Sequence, residues 1–321
     1  MPPTLRRSCQ ACISRRRRCD RLWPTCSRCQ TRRKTCEYAN VPLSTTVAWP
    51  LRLEIRKDFD PRVVSFLASG LGSYPASFAR TLKTHFIHPD LWSHHNPPAP
   101  IRDVHALCQL HASTADKDAV LSLFTRRISI LLRHISSPAT FGDLLASSQA
   151  LLLAQCMLIF NEDPLSPYSD AVSDMLYHLG HNLWQQAPIQ LSSTLSPHQA
   201  WLFGESVRRT IIVAFMLRSV YSLLKRNFAL RTPFVDALPF DRRTALWDEK
   251  IESWPGVTQD SADSMVSLHS YTGILENGLI HSIPVFEQYI LAACRGRTVE
   301  ILPYPASTYT TLNTLHASNL N

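Results

Sequence analysis

Six cysteines within the first 36 residues carry the chemistry this chain can do: Cys9, Cys12, Cys19, Cys26, Cys29 and Cys36. Their spacing is Cys-x2-Cys-x6-Cys-x6-Cys-x2-Cys-x6-Cys, so Cys9–Cys12–Cys19 recurs as Cys26–Cys29–Cys36. A Cys-x2-Cys turn lets two sulfurs reach one metal ion, and soft thiolates at that spacing suit Zn²⁺, which takes four ligands in a tetrahedron. Six sulfurs complete two tetrahedra only if two are shared. The repeat makes Cys9 and Cys26 the natural bridges, giving one quartet of Cys9, Cys12, Cys19 and Cys26 and another of Cys9, Cys26, Cys29 and Cys36. Arg15, Arg16, Arg17 and Arg18 run between the cysteines. Thiolates threaded with arginines point to a zinc-held module that grips a polyanion, with double-stranded DNA as the candidate partner.

Two other readings explain the cysteines. Six could form a disulfide knot with 15 pairings, but disulfides need an oxidising compartment. The opening Met1-Pro2-Pro3-Thr4-Leu5-Arg6-Arg7 lacks the apolar stretch of a secretory signal. A zinc or thiol redox sensor accounts for the sulfurs but not for the arginines. Besides cysteine the segment offers mainly Leu5, Ile13, Leu22, Trp23 and Tyr38 as apolar residues. Metal binding must therefore supply most of its folding free energy, roughly 10–16 kcal/mol per zinc. Cys108, Cys156 and Cys294 stand apart and read as buried core thiols.

The spacing resembles the fungal binuclear zinc cluster, the six-cysteine DNA-binding domain of many fungal transcription factors. Cys19-Asp20 and Pro24, two residues before Cys26, are similar to features of that family. Where the family often carries lysines before the third cysteine, Arg15 to Arg18 are all arginine. The resemblance implies two Zn²⁺ ions, a nuclear location, regulation of RNA polymerase II transcription and a helix in the major groove that reads a CGG-type triplet. Matched by position, the base-reading role falls to Arg15 and Arg16. Arginine can donate two hydrogen bonds to guanine. Arg17, Arg18, Arg28, Arg32, Arg33 and Lys34 are then expected to hold phosphates, which set register without carrying sequence information.

The charge is concentrated where that reading needs it. Residues 1–40 hold 11 lysines and arginines against Asp20 and Glu37, a net +9, while the whole chain is +8. Residues 41–321 therefore carry about −1. Two zinc ions on six thiolates subtract two charges and leave the module strongly positive. The same basic run fits nuclear import.

These motifs imply a three-part chain: a metal-stabilised module with two short helices over residues 1–40, a linker over 41–58, and an all-α regulatory domain over 59–321. Each half of the module is expected to form a short helix just after its Cys-x2-Cys turn. Pro42, Pro50 and Ser44-Thr45-Thr46 mark the linker. No apolar heptad seam follows the cysteines, so a homodimer, if formed, uses the helical domain. Ser196-Pro197-His198-Gln199 reads as a capping box with proline at the first helical position. It opens a helix whose stripe is Val213, Met216, Leu217, Val220 and Leu224, with Arg209 and Lys225 facing away. Ser166-Pro167 reads as another helix start, and Leu144 to Phe160 as a buried helix rather than a membrane span. Glu205, Arg208 and Arg209 fit an intrahelical charge pattern, Trp247 and Trp254 core anchors, and His88 a capping or core histidine.

Weaker motifs extend the resemblance. Ser73-Tyr74-Pro75 with Phe86-Ile87-His88-Pro89, Gln149-Ala150-Leu151-Leu152, Glu205 to Thr210, and Leu238-Pro239-Phe240 with Ala245-Leu246-Trp247 are similar to stretches of fungal regulators often found beside metabolic gene clusters. They imply the helical fungal middle homology region. Relatives commonly continue further, so a short or truncated member that represses or competes for sites is the alternative to an activator. P-loop, dinucleotide, Gly-x-Ser-x-Gly and His-Glu-x-x-His motifs are missing, so the expectation is a binding protein acting on DNA and the transcription machinery, not an enzyme.

Overall fold

A computed structural model of the chain describes residues 8–20, 26–36, 55–92, 97–114, 117–136, 138, 140–161, 165–187, 195–231, 233–249, 264–277 and 283–296. Leu5, Leu22, Trp23, Pro24, Tyr38, Trp254, most of the linker and the C-terminal 25 residues lie outside the described residues. The chain divides into two compact units, Met1–Arg52 and Leu53–Asn321.

The second unit is built around two long helices. In α7 (Phe141–Asn161) every residue from Leu144 to Met157 is buried, polar Ser147, Ser148 and Gln149 included. It is apolar and long enough to cross a membrane, but most of it is buried inside the fold, as the polar residues along it suggested. Thr140 and Asp143 cap its start reciprocally: Thr140 N donates to the Asp143 carboxylate and Asp143 N to the Thr140 hydroxyl. The other long helix, α9 (Pro197–Arg226), opens with the expected capping box. Gln199 N donates to Ser196 Oγ and Ser196 N to Gln199 Oε1. It ends at Asn227 in the left-handed region, with Lys225 and Arg226 in the last turn beside the exposed carbonyls.

Shorter helices pack around this pair. These are α3 (Pro61–Gly72), α4 (Tyr74–Thr81), α5 (Ala99–Ser113), α6 (Lys117–Ser136), α8 (Asp170–Gln186), a single-turn α10 (Pro233–Asp236), α11 (Leu268–Asn277) and α12 (Val285–Arg295). Helix α8 lies along α9, α6 along α7, α4 on α5, and α12 on α3. The α8 start differs from the reading of Ser166-Pro167. Ser169 is the cap, its hydroxyl accepting from Val172 N, while its own N–H is taken by the Tyr221 hydroxyl. That tertiary bond holds the chain extended past Pro167.

The unit is not purely helical. Among the described residues two three-residue antiparallel ladders occur: β1 (Ile55–Lys57) with β2 (Ala229–Arg231), and β3 (Pro239–Asp241) with β4 (Met265–Ser267). Composition placed residues 55–57 in the linker, yet they pair with β2, Arg56 opposite Leu230. Such short strands carry too few residues to show an alternation.

Arg209 does not face solvent as its position off the apolar stripe suggested. It is 2% exposed. Its Nε donates to Glu205 Oε1 at 2.7 Å, and its guanidinium lies 4.3 Å from the Trp247 ring and 4.7 Å from that of Phe286. A carboxylate one turn back and two aromatic faces replace the water it gives up. Leu224, placed on the stripe, is exposed instead. The motifs noted in sequence converge on the loop after α4. Gln149 Nε2 donates to Phe86 O, Arg209 Nη1 to His85 O, and Trp247 Nε1 to Thr84 O. His88 is buried, its Nδ1 accepting from Asp90 N and its ring edge-on to Trp247. It caps and packs.

Candidate metal centre and nucleic-acid interface

The N-terminal unit folds as two copies of one short pattern. Helix α1 (Gln10–Ser14) has Cys9 as its N-cap, and α2 (Ser27–Thr31) has Cys26. The cap dihedrals almost coincide, φ −65°, ψ 154° at Cys9 and φ −65°, ψ 148° at Cys26. Each helix begins inside its Cys-x2-Cys turn, earlier than the position after the turn expected from spacing. The reason is that the first cysteine of each half acts as the cap and the second, Cys12 or Cys29, as the buried helical residue.

Both helices end the same way. Arg17 N donates to Cys12 O and Arg16 N to Ile13 O; Lys34 N donates to Cys29 O and Arg33 N to Gln30 O. These are the paired bonds of a Schellman turn, which requires a left-handed residue at its second-last position, a place usually taken by glycine. Here it is arginine both times, with φ 49° at Arg16 and φ 49° at Arg33. The turn reverses the chain so that the third cysteine of each half returns toward the sulfur cluster.

The sulfurs fit zinc. Tetrahedral Zn–S bonds of about 2.3 Å set sulfur–sulfur edges of about 3.8 Å. The Sγ atoms of Cys9 and Cys26 are 3.8 Å apart, those of Cys9 and Cys29 3.8 Å, and those of Cys12 and Cys26 3.9 Å. Cys9, Cys12, Cys19 and Cys26 form one group and Cys9, Cys26, Cys29 and Cys36 a second, each with its ligand atoms within 4.8 Å of one another. These edges are far longer than a disulfide bond of about 2.05 Å, and none of the six cysteines is in a disulfide.

Burial raises the Cys9 thiol well above the ordinary range and pushes Cys26 up to about 12. A dication held by the two thiols would displace their protons and leave them as thiolates. In the second half Cys26 Sγ accepts from Cys29 N at 3.4 Å and Cys36 Sγ from Cys26 N at 3.3 Å. Asp20 Oδ2 accepts from Ser27 N at 3.0 Å, which ties the end of the first half to the start of α2. The Cys-Asp pair in the sequence was its only signal. Among the described residues the packed centre holds these cysteines and Ala11, so its described part is built on sulfur.

The basic residues lie outside this centre. Arg15, Arg16, Arg17, Arg18, Arg32, Arg33 and Lys34 are exposed and Arg28 is half-buried. None of the eight forms an ion pair among the described residues. Arg15 and Arg32 are the C-caps of α1 and α2, and Arg16 and Arg33 the left-handed residues that follow. The left-handed placement was not visible in the sequence, because arginine at such a site carries no composition signal.

Comparison with known proteins agrees with this geometry. Residues 7–44 match the Fungal Zn(2)-Cys(6) binuclear cluster domain. The N-terminal module is such a domain, and it binds two zinc ions. The chain is also 26% identical to "Transcription factor gsfR2" of Penicillium aethiopicum, over an alignment of 355 positions covering 79% of this chain and 84% of that one. No solved structure matches the chain.

Proposed function

We propose that this chain is a sequence-specific DNA-binding regulator of RNA polymerase II transcription, acting in the nucleus on a metabolic gene cluster. The observation that carries the reading is the coupling of a metal-type sulfur cage to two arginine-bearing turns. Cys12 O and Cys29 O, on ligand residues, accept the bonds that hold those turns. Bound zinc supplies the folding free energy of the cage, roughly 10–16 kcal/mol per ion by analogy with zinc-finger peptides. The chain's own residues then do the reading. Arg15 and Arg16, at the exposed end of α1, donate to guanine O6 and N7 of a CGG-type triplet. Arg17, Arg18, Arg28, Arg32, Arg33 and Lys34 hold phosphates.

The relative in Penicillium aethiopicum is called a transcription factor, which supports the same class. One triplet is a weak address in a genome, so the helical unit is assigned a second role, pairing two subunits and meeting the transcription machinery. Selection of bound sequences from random duplex, with and without chelator, tests the reading. A zinc-dependent enrichment of CGG supports it, and enrichment of no sequence refutes it. With roughly six phosphates held, affinity falls about a thousandfold between 50 and 200 mM salt.

A further inference from the structure

The second unit, nearly neutral overall, holds two arginines together on one aromatic ring. Phe228, between the end of α9 and β2, has the Arg56 guanidinium carbon 4.0 Å from its ring centroid and that of Arg226 at 4.3 Å. The two positive groups are therefore within about 8.3 Å of each other, inside the Debye length of roughly 10 Å at 0.1 M salt. Arg226 also lies 4.7 Å from the Tyr168 ring, itself stacked on Tyr221. The backbone under Arg56 is fixed by the β1–β2 ladder.

Little offsets this charge. Arg226 makes no ion pair among the described residues. Arg56 has Asp58, 3.8 Å from its Nε, with both side chains mostly exposed, 66% and 77%, where such a pair is weak. Neighbouring Lys57 is turned inward and donates to Cys294 O. The fold thus stiffens two guanidiniums on aromatic faces and leaves their donor edges for something outside the unit. Planar donor forks held this way suit phosphate oxygens.

Chain connectivity keeps the phosphates of the bound duplex within reach. β1 is the first described element after the zinc module, and the 19 residues 37–55 separate Cys36 from Arg56. Fully extended they span at most roughly 65 Å, about 19 base pairs at 3.4 Å per step. Resting on the DNA-binding reading above, we propose that Arg56 and Arg226 grip the phosphate backbone flanking the triplet, so that the helical unit adds contacts of its own to the complex.

The test uses the full, zinc-loaded chain and two duplexes with the same triplet, one with about 25 flanking base pairs on each side and one with about six. Affinity is measured from 50 to 200 mM salt. The wild type is expected to show a salt slope steeper by about two on the long duplex, roughly one per arginine. The Arg56→Gln, Arg226→Gln variant should lose that extra slope and leave the short-duplex slope unchanged. The Arg56→Lys, Arg226→Lys variant should keep most of it. Unchanged unfolding midpoints show that both variants are folded, and if the glutamine pair unfolds, the lysine pair and the wild-type slope difference decide. A wild type that reads the triplet with equal slopes on both duplexes overturns this inference alone. A wild type that ignores the triplet overturns the DNA reading first. Binding to phosphatidylserine vesicles that the glutamine pair abolishes, with DNA slopes unaffected, assigns the arginines to a membrane headgroup and also overturns it.

Discussion

Arg16 and Arg33 occupy the same backbone state, φ 49°, at the same step of matching Schellman turns, yet they are assigned different work. Replacing each by glycine separates structure from recognition. A non-glycine residue in the left-handed region costs roughly 1–2 kcal/mol. Glycine removes that strain but loses about 0.5–1 kcal/mol through the freer unfolded chain. The net effect on the module is therefore between zero and about 1.5 kcal/mol of stabilisation in both variants. Zinc retention against a competing chelator should be equal to wild type or better, by at most about twelvefold. Recognition should split. Arg16→Gly should remove the proposed base contact, worth about 1–3 kcal/mol, and lower the preference for the triplet over a scrambled duplex by roughly 5- to 150-fold. Arg33→Gly should weaken cognate and scrambled duplexes alike and lower the salt slope by about one. Competition binding at fixed salt, run on both duplexes, reads both quantities. Equal losses on the two duplexes for both variants would refute the division of labour, and a loss of zinc in either would refute the claim that arginine is tolerated there rather than required.

Chelation should unfold residues 9–36 while the circular dichroism of the helical unit persists; a module that keeps its amide protection after zinc removal contradicts metal as its source of stability. Burial alone would raise the Asp241 carboxyl, but hydrogen bonds from Arg243 and the Trp201 indole override it and bring it to about 2. A folded value below the unfolded one of about 3.9 stabilises above pH 4 and is lost as pH falls toward 2, about 2.5 kcal/mol in all. Asp241→Asn should be less stable by that order at neutral pH and show a flatter acid limb in denaturant titrations. Burial first and Lys83 second hold His88 down to about 4, so its neutral form stabilises above about 6.5 and that contribution declines as pH falls toward 4; His88→Gln should lessen this dependence. Glu205→Gln strands the buried Arg209 charge and should cost roughly 3–5 kcal/mol, whereas Glu205→Leu with Arg209→Met should cost less than the sum of the single changes. Additive costs in thermal unfolding would show that the two side chains do not act as a pair.

The metal centre was legible because its constraint is local. Cysteine is chosen for its sulfur, and a six-residue return leaves few ways to bring the third thiol back. The capping box of α9 was legible for the same reason, since Ser196 and Gln199 satisfy each other within one turn. Arg209 was misplaced because its environment is assembled from distant parts: Trp247 and Phe286 stack on it and His85 O accepts from it. Periodicity along α9 sees only an off-stripe cation. The ladder of Ile55–Lys57 with Ala229–Arg231 was invisible because three residues cannot display a period, and their partners lie more than 170 positions away. The Arg56–Phe228–Arg226 cluster likewise arises from that pairing and from the end of α9, so no window of sequence contains it.

The two units draw stability from different sources, and this bears on how binding could be controlled. Among the described residues the packed centre of the module is its cysteines and Ala11, whereas the helical unit buries a continuous cluster from Val63 to Cys294. Loss of zinc should loosen the turns that carry Arg15 and Arg16 in the first half and Arg32 and Arg33 in the second, because Cys12 O and Cys29 O, which accept their respective closing bonds, belong to the candidate ligand residues. It leaves the apolar core untouched. A zinc-depleted chain should therefore keep whatever the helical unit binds while losing its address on DNA. In that state the basic N-terminal segment still meets phosphates, so the difference in duplex affinity between the depleted chain and its Arg56→Gln, Arg226→Gln variant isolates the contacts of those two arginines. A depleted chain that binds long duplex no better than its glutamine variant would leave those arginines without a role on DNA, even if the module reads the triplet as proposed.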